Sequence, residues 1–176
     1  MALEQLVRKI RGRPAYRLRY LHHFTDSRNL PSIRLHGLLS KQKIDQKELC
    51  CVPGGNDWSL KADMDRELNK YVHLSFFDEH PMSFRAKNEG TIEDVVQLKI
   101  RPEVILKPGV MFCTEVSNKR GSKIVPISDF SDTDVDEDIL FMRLNWKDPA
   151  VLERKSVAVK YEILVPDLVE PDYILL

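Results

Sequence analysis

The segment that most constrains the fold is the ten-residue run VAVKYEILVP at residues 157–166. Its β-branched and aromatic residues favour an extended strand, and its apolar content favours a central position in a sheet. Glu162 interrupts this run. If the strand alternates, Glu162 shares a face with Lys160, and both side chains point to water. Alternatively, the carboxylate faces a cleft, where a rigid strand would hold it to bind a hydroxyl group and stabilise a developing cation.

Other segments predict further strands and a few short helices. Strands are expected at residues 15–25, 71–77 and 92–100, at residues 104–113 as two strands joined by a Pro-Gly turn, and at residues 173–176 as an edge strand. Residues 28–37 predict a helix that Asp26 or Ser27 caps and Gly37 ends. Residues 41–59 are polar and contain Pro-Gly-Gly, which indicates a long loop, and residues 126–150 are weakly helical. The sum is an α/β or α+β domain in which strands dominate.

The length and charge of the chain exclude some classes of protein. At 176 residues, the chain is expected to form one domain, residues 1–176. Its 27 basic and 27 acidic residues give no net charge, which excludes a wholly basic nucleic-acid binder. The basic excess lies in the first twenty residues, beside Tyr16 and Tyr20, and is either a solvated segment or a surface that follows a phosphate backbone. The acidic excess is expected to be a surface loop and comprises Asp129, Asp132, Asp134, Asp136, Glu137 and Asp138.

The sequence also argues against a membrane-spanning segment, a metal site and several well-known catalytic or nucleotide-binding motifs. No apolar run is long enough to span a bilayer, and the N-terminus lacks the apolar stretch of a secretory signal. The three cysteines include the adjacent pair Cys50 and Cys51, do not form a disulfide framework, and indicate a cytoplasmic protein. No metal is expected, since the His and Cys residues lack ligand spacing. The sequence contains no G-x-S-x-G, P-loop or G-x-G-x-x-G motif.

Three stretches, in order along the chain, resemble the DarT family. They are LHHFT at residues 21–25 with Asn29, Leu30, Ile33 and Gly-Leu-Leu-Ser at 37–40; YVHLSF at 71–76 with His-Pro-Met at 80–82; and YEILVP at 161–166 with Tyr173 and Ile174. The resemblance spans nearly the whole chain. It implies two small packed sheets around a split NAD⁺ cleft, with flanking helices. It also implies an ADP-ribosyltransferase that uses NAD⁺ to modify a base of single-stranded DNA, of the kind found as toxins with a macrodomain antitoxin or in phage defence.

The resemblance implies a role for particular residues. Glu162 matches the family's catalytic glutamate, since cleavage of the glycosidic bond builds oxocarbenium-like charge that a carboxylate stabilises. The same carboxylate could instead hold the ribose 2′-hydroxyl or accept a proton from the attacking base. The residues expected to bind NAD⁺ are His23, Thr25, Asn29, Tyr71, Ser75, Phe76 and Met82. Asn29 alternatively only starts the helix.

The chain is compared with the family pattern at an arginine and in the substrate loop. Family members carry an arginine upstream of the second motif, and Arg66 is assigned as this catalytic arginine. Arg66 also fits a charged residue on the face of a helix, near Asp63 or Glu67. No histidine follows residue 80, so a histidine before the catalytic glutamate is missing. The substrate loop is expected within residues 115–158, where phosphates would meet Asn118, Lys119, Arg120 and Lys123.

Other functions remain open from the sequence alone. The same chemistry could act on RNA, a protein or a small molecule, and a domain without turnover could bind NAD⁺ or single strands. An interaction module that uses the acidic loop is a third class, although nothing in that loop specifies a partner.

Overall fold

A computed structural model describes residues 2–55, 57–131, 133 and 135–176. The strands in this part of the chain are β1 Leu21–Asp26, β2 Leu38–Leu39, β3 Tyr71–Ser75, β4 Val95–Ile100, β5 Met111–Cys113, β6 Ile124–Pro126, β7 Glu162–Pro166, β8 Leu168–Val169 and β9 Ile174–Leu175. The α-helices are α1 Leu3–Arg11, α2 Leu30–His36, α3 Lys41–Gln46, α4 Asp57–Asp65, α5 Pro81–Asn88, α6 Glu137–Phe141 and α7 Pro149–Ala158. Short 3₁₀ helices link several of these elements.

Seven strands form one antiparallel sheet in the order β6-β5-β7-β3-β1-β4-β9, and β2 and β8 pair as a separate ribbon. The predicted mixed fold with strands and short helices is confirmed. The expectation that strands dominate is wrong, because in the described part of the chain the α-helices contain more residues than the strands. The apolar run of β7 lies inside the sheet between β3 and β5, and Ile163, Leu164 and Val165 are completely buried. The pattern of the sequence therefore identified the central strand.

The register of the sheet places the start of β7 beside the end of β3. Ser75 lies opposite Glu162 on one side, and Cys113 of β5 lies opposite it on the other. His22 of β1 lies opposite Ser75. The first and third resembling stretches therefore meet across the second at one place in the sheet.

Helix α2 begins and ends where the sequence predicts. Asp26 accepts a hydrogen bond from the backbone of Arg28 and caps a 3₁₀ turn, Ser27–Asn29, that leads into α2. Gly37 ends α2 with φ +78°, and a Cβ there would lie 2.4 Å from the carbonyl oxygen of Val169 in the ribbon. Only glycine fits this close approach.

Three strand predictions were partly wrong. Residues Tyr16–Arg19 form a 3₁₀ helix in which Leu18 alone is buried, so no alternating apolar face holds this segment in a sheet. Pro102 opens another 3₁₀ helix, Pro102–Leu106, so that only the second strand of the expected pair forms. Helix α7, capped by Asp148 with Pro149 at its start, runs into the expected C-terminal strand, which begins only at Glu162.

The predicted loop at residues 41–59 contains helices instead. Ser40 accepts a hydrogen bond from Lys43 and starts α3, and the last part of the segment belongs to α4. The sequence analysis missed both helices because their faces carry few apolar residues. In the acidic segment, Asp136 caps α6 and pairs with Arg154 at 2.6 Å, whereas Asp132 and Asp134 lie outside the described residues.

The basic N-terminal segment is largely part of the fold. Helix α1 buries Leu6, Val7 and Ile10, and Arg17 pairs with Asp78 at 2.9 Å. Arg13 is buried and donates a hydrogen bond to the carbonyl oxygen of Phe76. Within the described residues, no helix is long and apolar enough to cross a membrane.

Candidate active site

Glu162 is 4% exposed and has a polar neighbour at each carboxylate oxygen. Ser117 donates to Oε2 twice, from Oγ at 2.5 Å and from its backbone N–H at 3.1 Å. His73 Nδ1 lies 3.2 Å from the same oxygen, and His80 Nε2 lies 3.4 Å from Oε1. The interpretation that Glu162 points to water with Lys160 is therefore wrong, because Lys160 lies in the turn that follows α7 and the strand alternation starts only at Glu162.

The two histidines keep this carboxylate charged. Burial by itself would raise the pKa of Glu162, but the hydrogen bond and charge of His73, together with the N–H of His80, hold it far below its usual range. Burial likewise opposes charge on His73, yet the hydrogen bond and charge of Glu162 raise the pKa of His73 to about 9. The pair is therefore a buried carboxylate–imidazolium pair at neutral pH.

Local structure fixes how each histidine is protonated. His80 is the N-cap of α5, and its Nδ1 accepts a hydrogen bond from the backbone N–H of Met82, so Nε2 carries the proton that faces Glu162. His73 also hydrogen-bonds the backbone of Leu68. The second sequence stretch contains both histidines, but the sequence analysis did not predict that they contact Glu162. The His-Pro pair at a helix start was the available signal for the cap.

His23 is neutral and offers an acceptor. Its Nδ1 lies 2.8 Å from the carbonyl oxygen of His73, to which it donates, and burial lowers the pKa of His23 to about 4. Its Nε2 therefore carries a lone pair. This nitrogen is suited to accept a hydrogen bond from a ribose hydroxyl or a carboxamide.

A cavity of about 250 Å³ adjoins Glu162. Most of the predicted site residues line it, namely His23, Thr25, Asn29, Tyr71, Ser75, Met82 and Glu162. Cys50 and Cys51 line the cavity too, and burial raises the pKa of the Cys51 thiol. The structure thus brings side chains of the first and third stretches together in one cavity, although these stretches lie far apart in the sequence.

Asn29 holds a loop at the edge of this cavity. Its side chain accepts from the backbone N–H of Val52 at 2.9 Å and donates to the Val52 carbonyl oxygen at 2.8 Å and to Thr25 Oγ1 at 3.0 Å. Both ends of the amide are therefore engaged in the fold. Asn29 shapes the cavity wall, whereas the sequence analysis offered contact with the cofactor or a helix start.

Phe76 and Arg66 do not line the cavity. Phe76 is completely buried and its ring centroid lies 6.3 Å from that of Phe112 in an edge-to-face contact, because Phe76 continues the alternation of Val72 and Leu74, which belong to the core. Arg66 lies just beyond α4, and its guanidinium donates to Ser117 O, Lys119 O and both Ser122 Oγ and Ser122 O. Arg66 therefore fixes the loop that delivers Ser117 to Glu162.

Ser117 is the site residue that the sequence analysis missed. It lies 45 residues before Glu162 in a loop without strand or helix periodicity. No local pattern marks a serine whose partner is so distant. Among the described residues, no group of three or more His, Cys, Asp or Glu side chains is arranged to hold a metal ion.

A charged glutamate at the start of a central antiparallel strand, beside a cavity walled by a neutral histidine, is suited to stabilise a positive charge that develops on a bound substrate. A family model described as "ssDNA thymidine ADP-ribosyltransferase, DarT" matches residues 22–175. The chain therefore belongs to the DarT family. Among curated proteins, no sequence matches it significantly.

Solved structures share the fold. Thermosipho africanus DarTG in complex with ADP-ribose has a TM-score of 0.68 at 20% identity, over 88% of this chain and 42% of that one. Thermus sp. 2.9 DarT in complex with ADP-ribosylated ssDNA has a TM-score of 0.60 at 17% identity, over 85% and 76%. The same DarT in complex with NAD⁺ has a TM-score of 0.54 at 18% identity, over 88% and 78%. This chain thus spans less than half of the DarTG chain.

Proposed function

We propose that this protein transfers ADP-ribose from NAD⁺ to a base of single-stranded DNA, with Glu162 as its catalytic carboxylate. The observation that carries the proposal is the charged Glu162, which Ser117, His73 and His80 hold at the wall of the cavity. The family description and the Thermus DarT structures with NAD⁺ and with ADP-ribosylated ssDNA support the choice of substrates.

The proposed reaction exchanges one glycosidic bond for another. The bond between ribose C1′ and the nicotinamide nitrogen breaks, and nicotinamide leaves with the electron pair. A base nitrogen donates its electron pair to C1′ and releases its proton to water. Glu162 lies where its negative charge would stabilise the oxocarbenium-like ribose between these two events.

The electrostatics favour one of the roles considered for Glu162. A carboxylate whose pKa lies far below neutral stays charged at every working pH and is a weak proton acceptor. Glu162 is thus better suited to stabilise the cation and hold the 2′-hydroxyl than to deprotonate the base. Ser117 and the histidines preorganise it for this role, because they fix its charge and its direction before substrate binds.

The cavity residues divide into those that offer polar atoms to NAD⁺ and those that shape the wall. His23 would accept a hydrogen bond from the sugar or the carboxamide through Nε2. Ser75 Oγ donates to Phe77 O at 2.6 Å, which leaves its oxygen as an acceptor. Tyr71 and Met82 offer apolar surface for a flat ring. Asn29, through Val52 and Thr25, holds the loop that closes this side.

The biological setting is part of the proposal. The likeness to a DarTG protein supports a macrodomain partner that removes the modification. A cytoplasmic location suits the free cysteines Cys50, Cys51 and Cys113, which a reducing compartment keeps unpaired. A role as a toxin or in phage defence, which the resemblance to the DarT family implies, belongs to the same proposal.

Nicotinamide release tests the proposal. The protein is incubated with NAD⁺ alone, with single-stranded DNA, with RNA of the same sequence, and with an unrelated protein. We expect release to rise with single-stranded DNA and to stay at the background level with the other acceptors. Equal release with every acceptor would contradict the proposed substrate, and no release with any acceptor would contradict transferase activity altogether.

A further inference from the structure

Two adjacent thiols lie at the wall of the candidate active-site cavity and have no part in the proposed reaction. Cys50 and Cys51 both line the cavity, next to Val52. Of the three cysteines, Cys50 is exposed, Cys51 is half-buried and Cys113 is buried. A residue that lines a cavity and is also exposed lies at the rim of that cavity. Cys50 is therefore the thiol that a dissolved reagent reaches.

The backbone holds these two thiols in place from both sides. Before them, the N–H of Leu49 donates to the carbonyl oxygen of Ile44 at 3.0 Å and closes the end of α3. After them, the side chain of Asn29 bonds both the N–H and the carbonyl oxygen of Val52. A group added to Cys50 would therefore stay at the mouth of the cavity.

Burial protects the other two thiols from reaction. It raises the pKa of the Cys51 and Cys113 thiols, and both stay protonated at neutral pH. Since the thiolate is the nucleophilic form of cysteine, these two residues react slowly. Chemistry on a thiol at this cavity should therefore be confined to Cys50.

The cavity is built to take a ligand. Its volume is about 250 Å³, and Glu162 lies at its wall. Oδ1 of Asp63, which also lines the cavity, is buried and has no hydrogen-bond partner within the described part of the chain. A buried polar atom without a partner is completed by a bound molecule. A group tethered at Cys50 would compete for this space at a high effective concentration.

We propose that Cys50 is a modification site, at which exchange with a low-molecular-weight disulfide closes the cavity to NAD⁺. The inference rests on the proposed function, which places NAD⁺ in this cavity. The Cys50 thiolate attacks one sulfur of the disulfide and forms a new S–S bond. The old S–S bond breaks, and the other half leaves as a thiolate that takes up the proton released by Cys50. Excess thiol reverses the exchange, so a reducing compartment keeps the cavity open.

Glutathione disulfide is the probe for this exchange. Intact mass and peptide mapping identify the modified residue after incubation with it. We expect one glutathionyl group on wild type and on Cys51→Ser, none on Cys50→Ser, and its removal by dithiothreitol. Circular dichroism confirms that both variants are folded.

Calorimetric titration with NAD⁺ tests the consequence, with each treated protein compared with its own untreated sample. We expect treatment to weaken NAD⁺ binding by about tenfold or more in wild type and Cys51→Ser, and to leave binding by Cys50→Ser unchanged. Protection is the converse test. NAD⁺ at about ten times its Kd leaves about one tenth of the protein free and should slow the exchange at Cys50 about tenfold.

Four results would overturn the modification site. They are no exchange at Cys50, an adduct on Cys51 or Cys113 instead, an intramolecular Cys50–Cys51 disulfide without an adduct, and full NAD⁺ binding by the Cys50 adduct. The untreated protein keeps the two proposals apart. NAD⁺ binding that survives the adduct rejects only the modification site, whereas an untreated protein that does not bind NAD⁺ rejects the proposed function as well.

Discussion

At the scale of single residues, the charge on Glu162 depends on neighbours that come from three different elements. His73 lies on β3, His80 caps α5, and Ser117 lies in the loop that Arg66 holds. A buried carboxylate without such partners would take up a proton. The site therefore depends on these partners as much as on the glutamate itself.

His73 should make the stability of the protein depend on pH. The folded-state pKa of His73 is raised to about 9 from its usual value of 6.5, so its stabilisation is fully present below about pH 6.5 and is lost as the pH rises through about 9. We expect the difference in Tm between wild type and His73→Gln to be largest near pH 6 and to shrink towards alkaline pH. Thermal melts followed by circular dichroism would measure it.

The control for that series is His36→Gln, which removes a histidine on α2 outside the cavity. A constant Tm difference between wild type and His73→Gln across the whole pH range would show that His73 is not charged by Glu162. A Tm difference between these two proteins that grows with pH would contradict the predicted direction of the pH dependence.

The sequence identified Glu162 and His23 but not the partners of Glu162. A carboxylate inside an apolar strand-like run is a local anomaly, and the resemblance assigned it a role. Ser117 and the guanidinium of Arg66 contact residues 45 to 56 positions away, and such contacts leave no periodic trace in the chain. The assignment of Arg66 as a catalytic residue stays a prediction, and its four hydrogen-bond acceptors could not be predicted from the sequence.

At the scale of elements, the segment after α4 and the loop at residues 117–122 act as one unit. The guanidinium of Arg66 bonds to Ser117, Lys119 and Ser122, and Ser122 Oγ donates to Ser117 O at 2.6 Å. This fixes the backbone N–H and hydroxyl that Ser117 directs at Glu162. We therefore expect Arg66 to act as a positioning residue.

Loss of Arg66 should lower turnover without weakening NAD⁺ binding. We expect Arg66→Ala to reduce kcat by about ten- to a hundredfold, because Ser117 no longer holds Glu162 in place, while KM for NAD⁺ stays close to that of wild type. Hydrogen–deuterium exchange should rise in residues 117–122. Arg85→Ala, which removes an exposed arginine of α5 paired with Glu89, is the matched control.

An increase in KM with unchanged kcat would instead mean that Arg66 contacts NAD⁺. Unchanged exchange in residues 117–122 would show that the loop does not depend on Arg66.

Gly37 should be irreplaceable at the junction of α2 and the β2–β8 ribbon. Its φ of +78° and ψ of −174° suit glycine only, and a Cβ would also strike the Val169 carbonyl oxygen. We expect Gly37→Ala to lower the free energy of unfolding by about 3 kcal/mol or more. Urea unfolding would measure this.

The Gly90→Ala variant separates the backbone strain of a positive φ from the steric collision expected at residue 37. Gly90 has a similar φ of +72°, but a Cβ there meets nothing within 4 Å. This variant should lose only the backbone term of about 1–2 kcal/mol. Equal losses in the two variants would mean that the approach of Val169 to Gly37 is not tight.

Elements whose sequences have a strong pattern of apolar and polar residues were predicted well, and elements with a weak pattern were not. The strands at β1, β3, β4 and β7 and the helix α2 with its Gly37 end follow from local sequence. Helices α3 and α4 do not, since their residues are mostly polar and they are stabilised by caps and by neighbours. The 3₁₀ helix at Tyr16–Arg19 shows the same limit, because one buried leucine satisfies either structure.

At the scale of the whole molecule, the sheet order places β7 between β3 and β5 and thereby gathers three distant motifs at one end of β7. Helix α4 then divides the space beside that point into the cavity and an open groove, which Trp58, Lys61 and Asp65 line. The family resemblance anticipated the cavity, because its motifs lie on the strands. The groove arises from a helix that the sequence analysis assigned to a loop, so its shape could not be foreseen.

In the proposed function, the charged carboxylate of Glu162 drives transfer of ADP-ribose to single-stranded DNA. The most direct measurement is the intact mass of a single-stranded oligonucleotide after incubation with NAD⁺ and either wild type or Glu162→Gln, which keeps the shape but removes the charge. We expect wild type to add one ADP-ribose unit and Glu162→Gln to add none while it still binds NAD⁺. The mass of the oligonucleotide could stay unchanged although wild type releases nicotinamide, or wild type and Glu162→Gln could form equal amounts of adduct. Either result would contradict the proposed role of Glu162.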